Sequence, residues 1–319
     1  MASIWLLYEI GTLNHAMQAK LNGAPDGSLA YKMNVIPDIY IAAIITSALS
    51  LTTIGGMLFP RASKEDRAFL AVLVLLMLPM NALAFHCVRM PIDAWLSTLL
   101  GESSALYQFI YCLYAPFTEE PAKLWPLLIP WIYSRIGSRN LVSVAFAIGL
   151  GFGVGEAWTV AGLLSKSPEI AMYPWYMLGG YIGERMLVCV MHAAFTGVAL
   201  YFIIKRKAVI TGLLSAMLLH FIGNFPIFLA QKNLFSIGAN AWMVILQIWV
   251  LAYLFLSGFI LAYLAYGKQW IHKLLKMKCP ECGNIYQRPI LWFNVNLFHK
   301  CYERCPYCKH WHLVNNLPP

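Results

Sequence analysis

The residues of this 319-residue chain best suited to chemistry are acids and histidines set inside long apolar runs. They are Glu119, Glu120 and Lys123 in the segment Phe117-Thr-Glu-Glu-Pro-Ala-Lys123, then Glu156, His192, and His220 with Asn224 four residues on. Carboxylates and imidazoles are the groups that exchange protons near neutral pH, and the same types ligate divalent cations. On a helix, Glu119 and Lys123 are i,i+4 and face the same way in the favoured acid-first order. Glu120 points about a hundred degrees away, toward a different partner. His220 and Asn224 are again i,i+4, so the amide can orient the ring or donate to a developing oxyanion. Each residue also has a plainer reading. Glu119 with Lys123 reads as a buried ion pair, Glu184 with Arg185 as local pairing near an interface, and His192 as a ring bonded to a backbone carbonyl.

Apolar helices must carry these groups. Residues of the set AVILMFWYC make up 60% of the chain and charged residues only 12%, against roughly 25% charged in soluble domains. That composition excludes an ordinary soluble enzyme, a disordered chain and a collagen-like fibre, and requires a bilayer as solvent. Runs of about 20 apolar residues predict seven transmembrane helices: Ile39–Phe59, Ala68–Phe85, Ala105–Tyr133, Leu141–Leu164, Tyr176–Ile204, Val209–Ala230 and Ala241–Tyr266. No strand alternation is present, so the fold class is an all-α polytopic bundle. Glu119, Glu156, His192 and His220 then lie roughly eight or more residues from the nearer helix end, on the order of 12 Å deep. Ionisable groups at that depth are expensive and point to a shared polar cavity. Pro121 removes a helix hydrogen bond and predicts a kink beside the two acids. Gly149, Gly151, Gly153 and Gly155, just before Glu156, give overlapping GxxxG spacings that admit a close helix neighbour.

Charge asymmetry predicts orientation. Arg61, Lys64, Arg67, Arg135, Arg139, Lys205, Arg206 and Lys207 collect in loops on one side, whereas Arg89, Lys166 and Lys232 fall in the alternate loops. Cytoplasmic loops are the Lys/Arg-rich ones, so the N-terminus faces outside and the C-terminus the cytosol, in a multi-pass protein of the plasma membrane. Residues 1–38 form an extracytoplasmic segment with no signal-peptide pattern and an interfacial-helix candidate at Ile4–Met17. Residues 39–266 form the transmembrane core and 267–319 a cytosolic tail. The tail holds eight Lys/Arg and two Glu, an excess that favours anionic cytoplasmic headgroups. No aromatic-basic motif for nucleic acid stands out there.

The tail also carries Cys279-Pro-Glu-Cys282 and, after 22 intervening residues, Cys305-Pro-Tyr-Cys308. Two such knuckles resemble a zinc ribbon, in which four thiolates close a tetrahedral structural zinc site. Cys301, His310 and His312 are near enough to substitute for one of the four. A closed four-cysteine site has no vacant position, so this metal is structural and the ribbon is a docking element for protein. Cys87, Cys112 and Cys189 occur singly in or near spans and behave as small apolar residues.

Glu119-Glu120-Pro-Ala-Lys123 resembles the EExxK motif of the PrsW family, within the intramembrane proteases that include the CAAX endopeptidases and bacteriocin-processing relatives. Gly149-Leu-Gly-Phe152-Gly-Val-Gly-Glu156 resembles its glycine-rich GFxxxE helix. Met191-His192-Ala-Ala-Phe195-Thr196-Gly197 resembles its HAxFT core, and His220-Phe-Ile-Gly-Asn224 its HxxxN motif. Ala157 stands where the family often has Asn, and the acidic residue that opens the second helix is absent around Leu141–Val144. The zinc ribbon is an addition to the shared core. The resemblance implies an intramembrane endopeptidase acting on membrane-embedded or membrane-tethered substrates. With it, the residues allow Glu119 or Glu120 to activate water and Lys123 to keep the neighbouring carboxylate ionised. Asn224 then stabilises the oxyanion, and Glu156, His192 and His220 ligate a catalytic zinc or other divalent metal. The same residue set also serves a glutamate–histidine protease without metal. The competing readings are a proton- or ion-coupled transporter, for which no inverted repeat is found, and a non-catalytic scaffold recruiting partners through the ribbon.

Overall fold

The computed structural model describes residues 38–59, 62–167, 170, 173–231, 238–267, 276–287, 295–297 and 300–315. The Ile4–Met17 stretch lies outside them. The helical part begins with α1 (Asp38–Leu58), α2 (Lys64–Met77), α3 (Met80–Leu83), a π-helical turn (Ala84–Arg89) and α4 (Met90–Leu100). It continues with α5 (Ala105–Leu124), a 3-10 turn (Trp125–Leu128), α6 (Pro130–Arg135) and α7 (Leu141–Leu164). It ends with α8 (Gly179–Leu200), prolonged by a π-helical turn (Tyr201–Lys205), then α9 (Val209–Gln231) and α10 (Ala239–Tyr266).

Six helices among the described residues are long and apolar enough to cross a membrane: Asp38–Leu58, Lys64–Leu100, Leu141–Leu164, Gly179–Lys205, Val209–Ala230 and Asn240–Tyr266. This is an all-α, multi-pass membrane protein. Two of the seven expected spans change. Ala105–Tyr133 is not among the six, because its main helix ends at Leu124 and carries Glu119, Glu120 and Lys123. Ala68–Phe85 is part of a 37-residue helical run, Lys64–Leu100. At about 1.5 Å per residue that run is far longer than the ~30 Å hydrocarbon core. Arg89 therefore lies within a helix and not in a loop.

Helix directions explain the place of α5. Tyr40 bonds Ser165 at 3.2 Å, and Trp158 donates to Ser47 at 3.0 Å, so α1 and α7 are antiparallel. Gly151 faces Val74 while Gly155 faces Leu78, so α2 and α7 are parallel. Two parallel helices in sequence require a return element between them, and α5 with α6 is that return. α5 starts at a Ser104 cap, whose hydroxyl accepts from the Tyr107 backbone N–H at 3.1 Å. The helix runs through Pro116 and Pro121, and its character changes only at Trp125–Leu128, around Pro126.

α7 is the central post, buried on nearly every side, as its uniformly apolar sequence requires. Its glycines let two helices close on it from opposite sides. A Cβ built on Gly149 would lie 2.4 Å from the Ala193 backbone nitrogen in α8, and one on Gly155 would lie 2.0 Å from the Leu78 carbonyl oxygen. The close approach expected from the GxxxG spacings is therefore present, and it brings Glu156 against α8.

The tail forms β1 (Lys276–Lys278) with β2 (Ile285–Gln287), and β3 (Val295–Leu297), β4 (Lys300–Arg304) and β5 (Trp311–Asn315), all antiparallel. The two cysteine knuckles share one backbone pattern. Cys279 N–H donates to Asn284 O at 2.9 Å, and Cys305 N–H donates to His310 O at 2.9 Å. Gly283 and Lys309 occupy equivalent left-handed positions, with φ of 70° and 64°.

Candidate functional site

α5, α7, α8 and α9 bring Glu119, Glu120, Lys123, Glu156, His192 and His220 into one cluster, as the similar depths of these residues imply. All but Glu156 are at least nine-tenths buried, and Glu156 is 18% exposed. The pairing within α5 differs from the expected i,i+4 pair. Lys123 Nζ bonds Glu120 Oε1 at 2.5 Å and leaves Glu119 outside the pair. The reason lies across the helix interface, where the same ammonium also reaches His192 Nδ1 at 2.9 Å. Phe152 and Phe195 shelve this ammonium, with ring centroids at 5.1 and 5.4 Å. Cation–π contacts of this kind gain strength when desolvated.

Donor and acceptor chemistry sets the protons. An ammonium only donates and a carboxylate only accepts. His192 Nδ1 therefore accepts from Lys123, and Nε2–H donates to Glu156 Oε2 at 2.7 Å. His220 Nδ1 donates to Glu120 Oε1 at 2.6 Å. Its Nε2 is turned toward Glu119 Oε2, 3.9 Å away. That Glu119 oxygen is buried with no hydrogen-bond partner, a costly state that calls for an occupant.

Both Glu119 and His220 line a cavity of about 390 Å³, together with Glu156, His192 and Asn224 among others. Glu120 and Lys123 do not line it. They stand behind His220 and His192 as supports. From α10, Trp249 Nε1 donates to the Gly223 carbonyl at 3.1 Å and Tyr253 OH donates to the Leu219 carbonyl, bracing the α9 segment that holds His220 and Asn224.

Arg185 belongs to this site, although the sequence reads as a local Glu184–Arg185 pair. Its guanidinium is 1% exposed and donates through Nη1 to Glu156 at 2.8 Å and through Nη2 to Glu184 at 3.0 Å. The spacing 185, 189, 192 is i, i+4, i+7, so Arg185 shares the His192 face of α8, which is the signal that would have found it. Glu156 is thus held by Arg185 and His192. The three donors nearest one another are Glu119, His192 and His220, whose ligand atoms lie within 4.8 Å. The expected trio had Glu156 in place of Glu119.

In the tail, the thiols of Cys279, Cys282, Cys305 and Cys308 all lie within 4.8 Å of one another. Cys279 and Cys308 are 3.7 Å apart, and Cys282 and Cys305 are 3.8 Å apart. Sulfurs at ~2.3 Å from one tetrahedral zinc are about 3.8 Å apart, so the geometry is compatible with a zinc site. Burial raises the Cys305 thiol, but backbone N–H groups of Cys308 and Tyr307 outweigh it and bring the pKa down to about 7. Among the substitute ligands, His312 Nε2 donates at 3.0 Å to the Tyr286 hydroxyl oxygen, whose own proton goes to Glu303, and His310 supplies its carbonyl to Cys305. Cys301 lies in β4, and its side chain falls outside the described residues. Compared with protein-family models, curated proteins and solved structures, the chain matches none.

Proposed function

We propose that the protein is an intramembrane endopeptidase in which Glu119 activates a water molecule. The observation that carries this reading is the facing pair of Glu119 Oε2, which has no hydrogen-bond partner, and His220 Nε2, 3.9 Å apart beside the shared cavity. A water between them is polarised from two sides. Its oxygen attacks the scissile carbonyl carbon while its proton passes to Glu119. The Asn224 amide lies on the same face of α9 as His220 and donates to the oxyanion. The carbon–nitrogen bond then breaks, and the proton on Glu119 moves to the leaving amine. Glu120 fixes the His220 ring through Nδ1, and Lys123 keeps Glu120 ionised, in the way a buried acid orients a catalytic histidine.

A divalent cation fits this donor set incompletely. Glu119 Oε2 and His220 Nε2 are open to it, but both His192 nitrogens are already bonded and Glu156 is held by Arg185. The four-cysteine ribbon takes a structural zinc and docks protein or the anionic membrane surface. Counting α5 as a seventh, polar crossing puts the Lys/Arg-rich loops on one side, which supports a topology with the N-terminus outside and the C-terminus in the cytosol.

The test is hydrolysis of single-span polypeptides by purified protein in liposomes, compared with Glu119→Gln. Release of defined fragments by the wild-type protein alone supports the reading; equal release by both sinks it. One observation favours a second reading. The chain His220, Glu120, Lys123, His192, Glu156, Arg185, Glu184 is hydrogen-bonded across four helices, with Glu119 3.9 Å from its His220 end, as in a proton relay. Proton flux into the same liposomes without fragment release would favour transport.

A further inference from the structure

Arg89 is a cation that the proposed chemistry does not use. It closes the π-helical turn Ala84–Arg89 and lines the same cavity as Glu119 and His220. π-helical turns are rare and cluster at functional sites. The guanidinium is surrounded by aromatic faces, with centroids of Phe85, Tyr111 and Tyr114 at 5.5, 5.6 and 6.0 Å. No carboxylate of the described residues lies within ion-pair distance of it. Asp93, one turn further on, is held instead by the Tyr107 hydroxyl, which donates to it at 2.7 Å. The other arginine of the cavity, Arg185, is already paired with Glu156 and Glu184. Rings on the flanks hold the guanidinium plane in place and leave its N–H edges to a ligand, an arrangement suited to a carboxylate.

We propose that Arg89 binds an acidic side chain of the substrate polypeptide, and this rests on the hydrolase reading above. Helix geometry gives the distance to the reacting bond. Tyr114 and Tyr111, both beside Arg89, precede Glu119 in α5 by five and eight residues, about 8 to 12 Å along the axis. An extended peptide spans that length in roughly two to four residues. The acidic residue therefore lies two to four positions from the cleaved bond, which sets the register of the substrate in the cavity.

The probes are fluorescent, apolar single-span peptides that differ by one Asp or Asn, with the Asp scanned along the sequence. Binding is read by anisotropy on full-length Glu119→Gln protein, so that no cleavage interferes. A charge-assisted contact predicts that the best Asp peptide binds ten- to a hundredfold tighter than its Asn partner, on the order expected for a charged hydrogen bond. Adding Arg89→Gln removes the difference, and Arg89→Glu transfers the preference to a Lys peptide. Thermal melting of each variant checks its fold. Equal affinity for Asp and Asn peptides, or a preference that survives Arg89→Gln in folded protein, overturns the inference. Wild-type protein then separates the two readings. An Asp preference in binding with no bond cleaved keeps the Arg89 site and defeats the hydrolase. Cleavage indifferent to the Asp defeats the Arg89 site alone.

Discussion

Lys123 Nζ lies 2.9 Å from His192 Nδ1, and this one contact sets the proton positions of the cluster. It forces the His192 proton onto Nε2, where Glu156 accepts it. The same ammonium neutralises Glu120, which in turn fixes His220. Two histidines are therefore oriented from behind by one buried lysine, and Glu119 keeps a buried carboxylate oxygen without a hydrogen-bond partner.

The two adjacent glutamates should separate cleanly on mutation. Glu119→Gln removes an unpaired buried carboxylate oxygen, so melting temperature should hold or rise while turnover falls by about 10²–10⁴-fold. Glu120→Gln leaves the Lys123 charge buried without its acid and should cost roughly 3–5 kcal/mol. The double variant Glu120→Gln, Lys123→Met should recover much of that loss. Additive costs in this cycle, measured by thermal or denaturant unfolding, would show that the pair is not coupled.

Arg185 should tolerate no substitution, lysine included. Its two Nη atoms serve two different carboxylates, Glu156 and Glu184, and a lysine offers a single point charge in place of that fork. Arg185→Lys should lower the melting temperature and also activity, because Glu156 loses the contact that aligns it with His192. Wild-type behaviour of this variant would remove Arg185 from the site.

Glycines of α7 should differ sharply from glycines elsewhere. A side chain at Gly155 meets the Leu78 carbonyl, whereas a Cβ at Gly183 meets nothing within 4 Å. Gly155→Val should abolish accumulation of monodisperse protein in detergent. Gly183→Ala should leave it unchanged or slightly stabilised, since alanine reduces the freedom of the unfolded chain. Size-exclusion profiles of the two variants decide the point.

Metal analysis of the full chain should find one zinc per protein held by the tail. Cys282→Ala or Cys308→Ala should lose it, and His312→Ala should retain it, because His312 packs against Tyr286 rather than joining the thiols. Zinc loss in His312→Ala would place that ring among the ligands.

Much of this protein is legible from residue order alone. Uninterrupted apolar runs impose helices in a bilayer, and Glu119, Glu120, Lys123, Glu156, His192, His220 and Asn224 stand out there because buried charge is costly. The alternating glycines of α7 announce close packing, and paired CxxC knuckles announce a four-thiol cluster, because both depend on local spacing. What spacing cannot encode is which long side chain reaches across a helix interface. Tertiary packing turned Lys123 from Glu119 to Glu120 and His192, and drew Arg185 inward to Glu156. It also carried Arg89 from an expected loop into the cavity wall. It made the polar α5 the return element between two parallel helices, a role hydropathy misses because α5 carries the charges of the site. Those outcomes depend on partners some 30 to 100 residues distant in the chain, and only the packed bundle brings them within bonding distance.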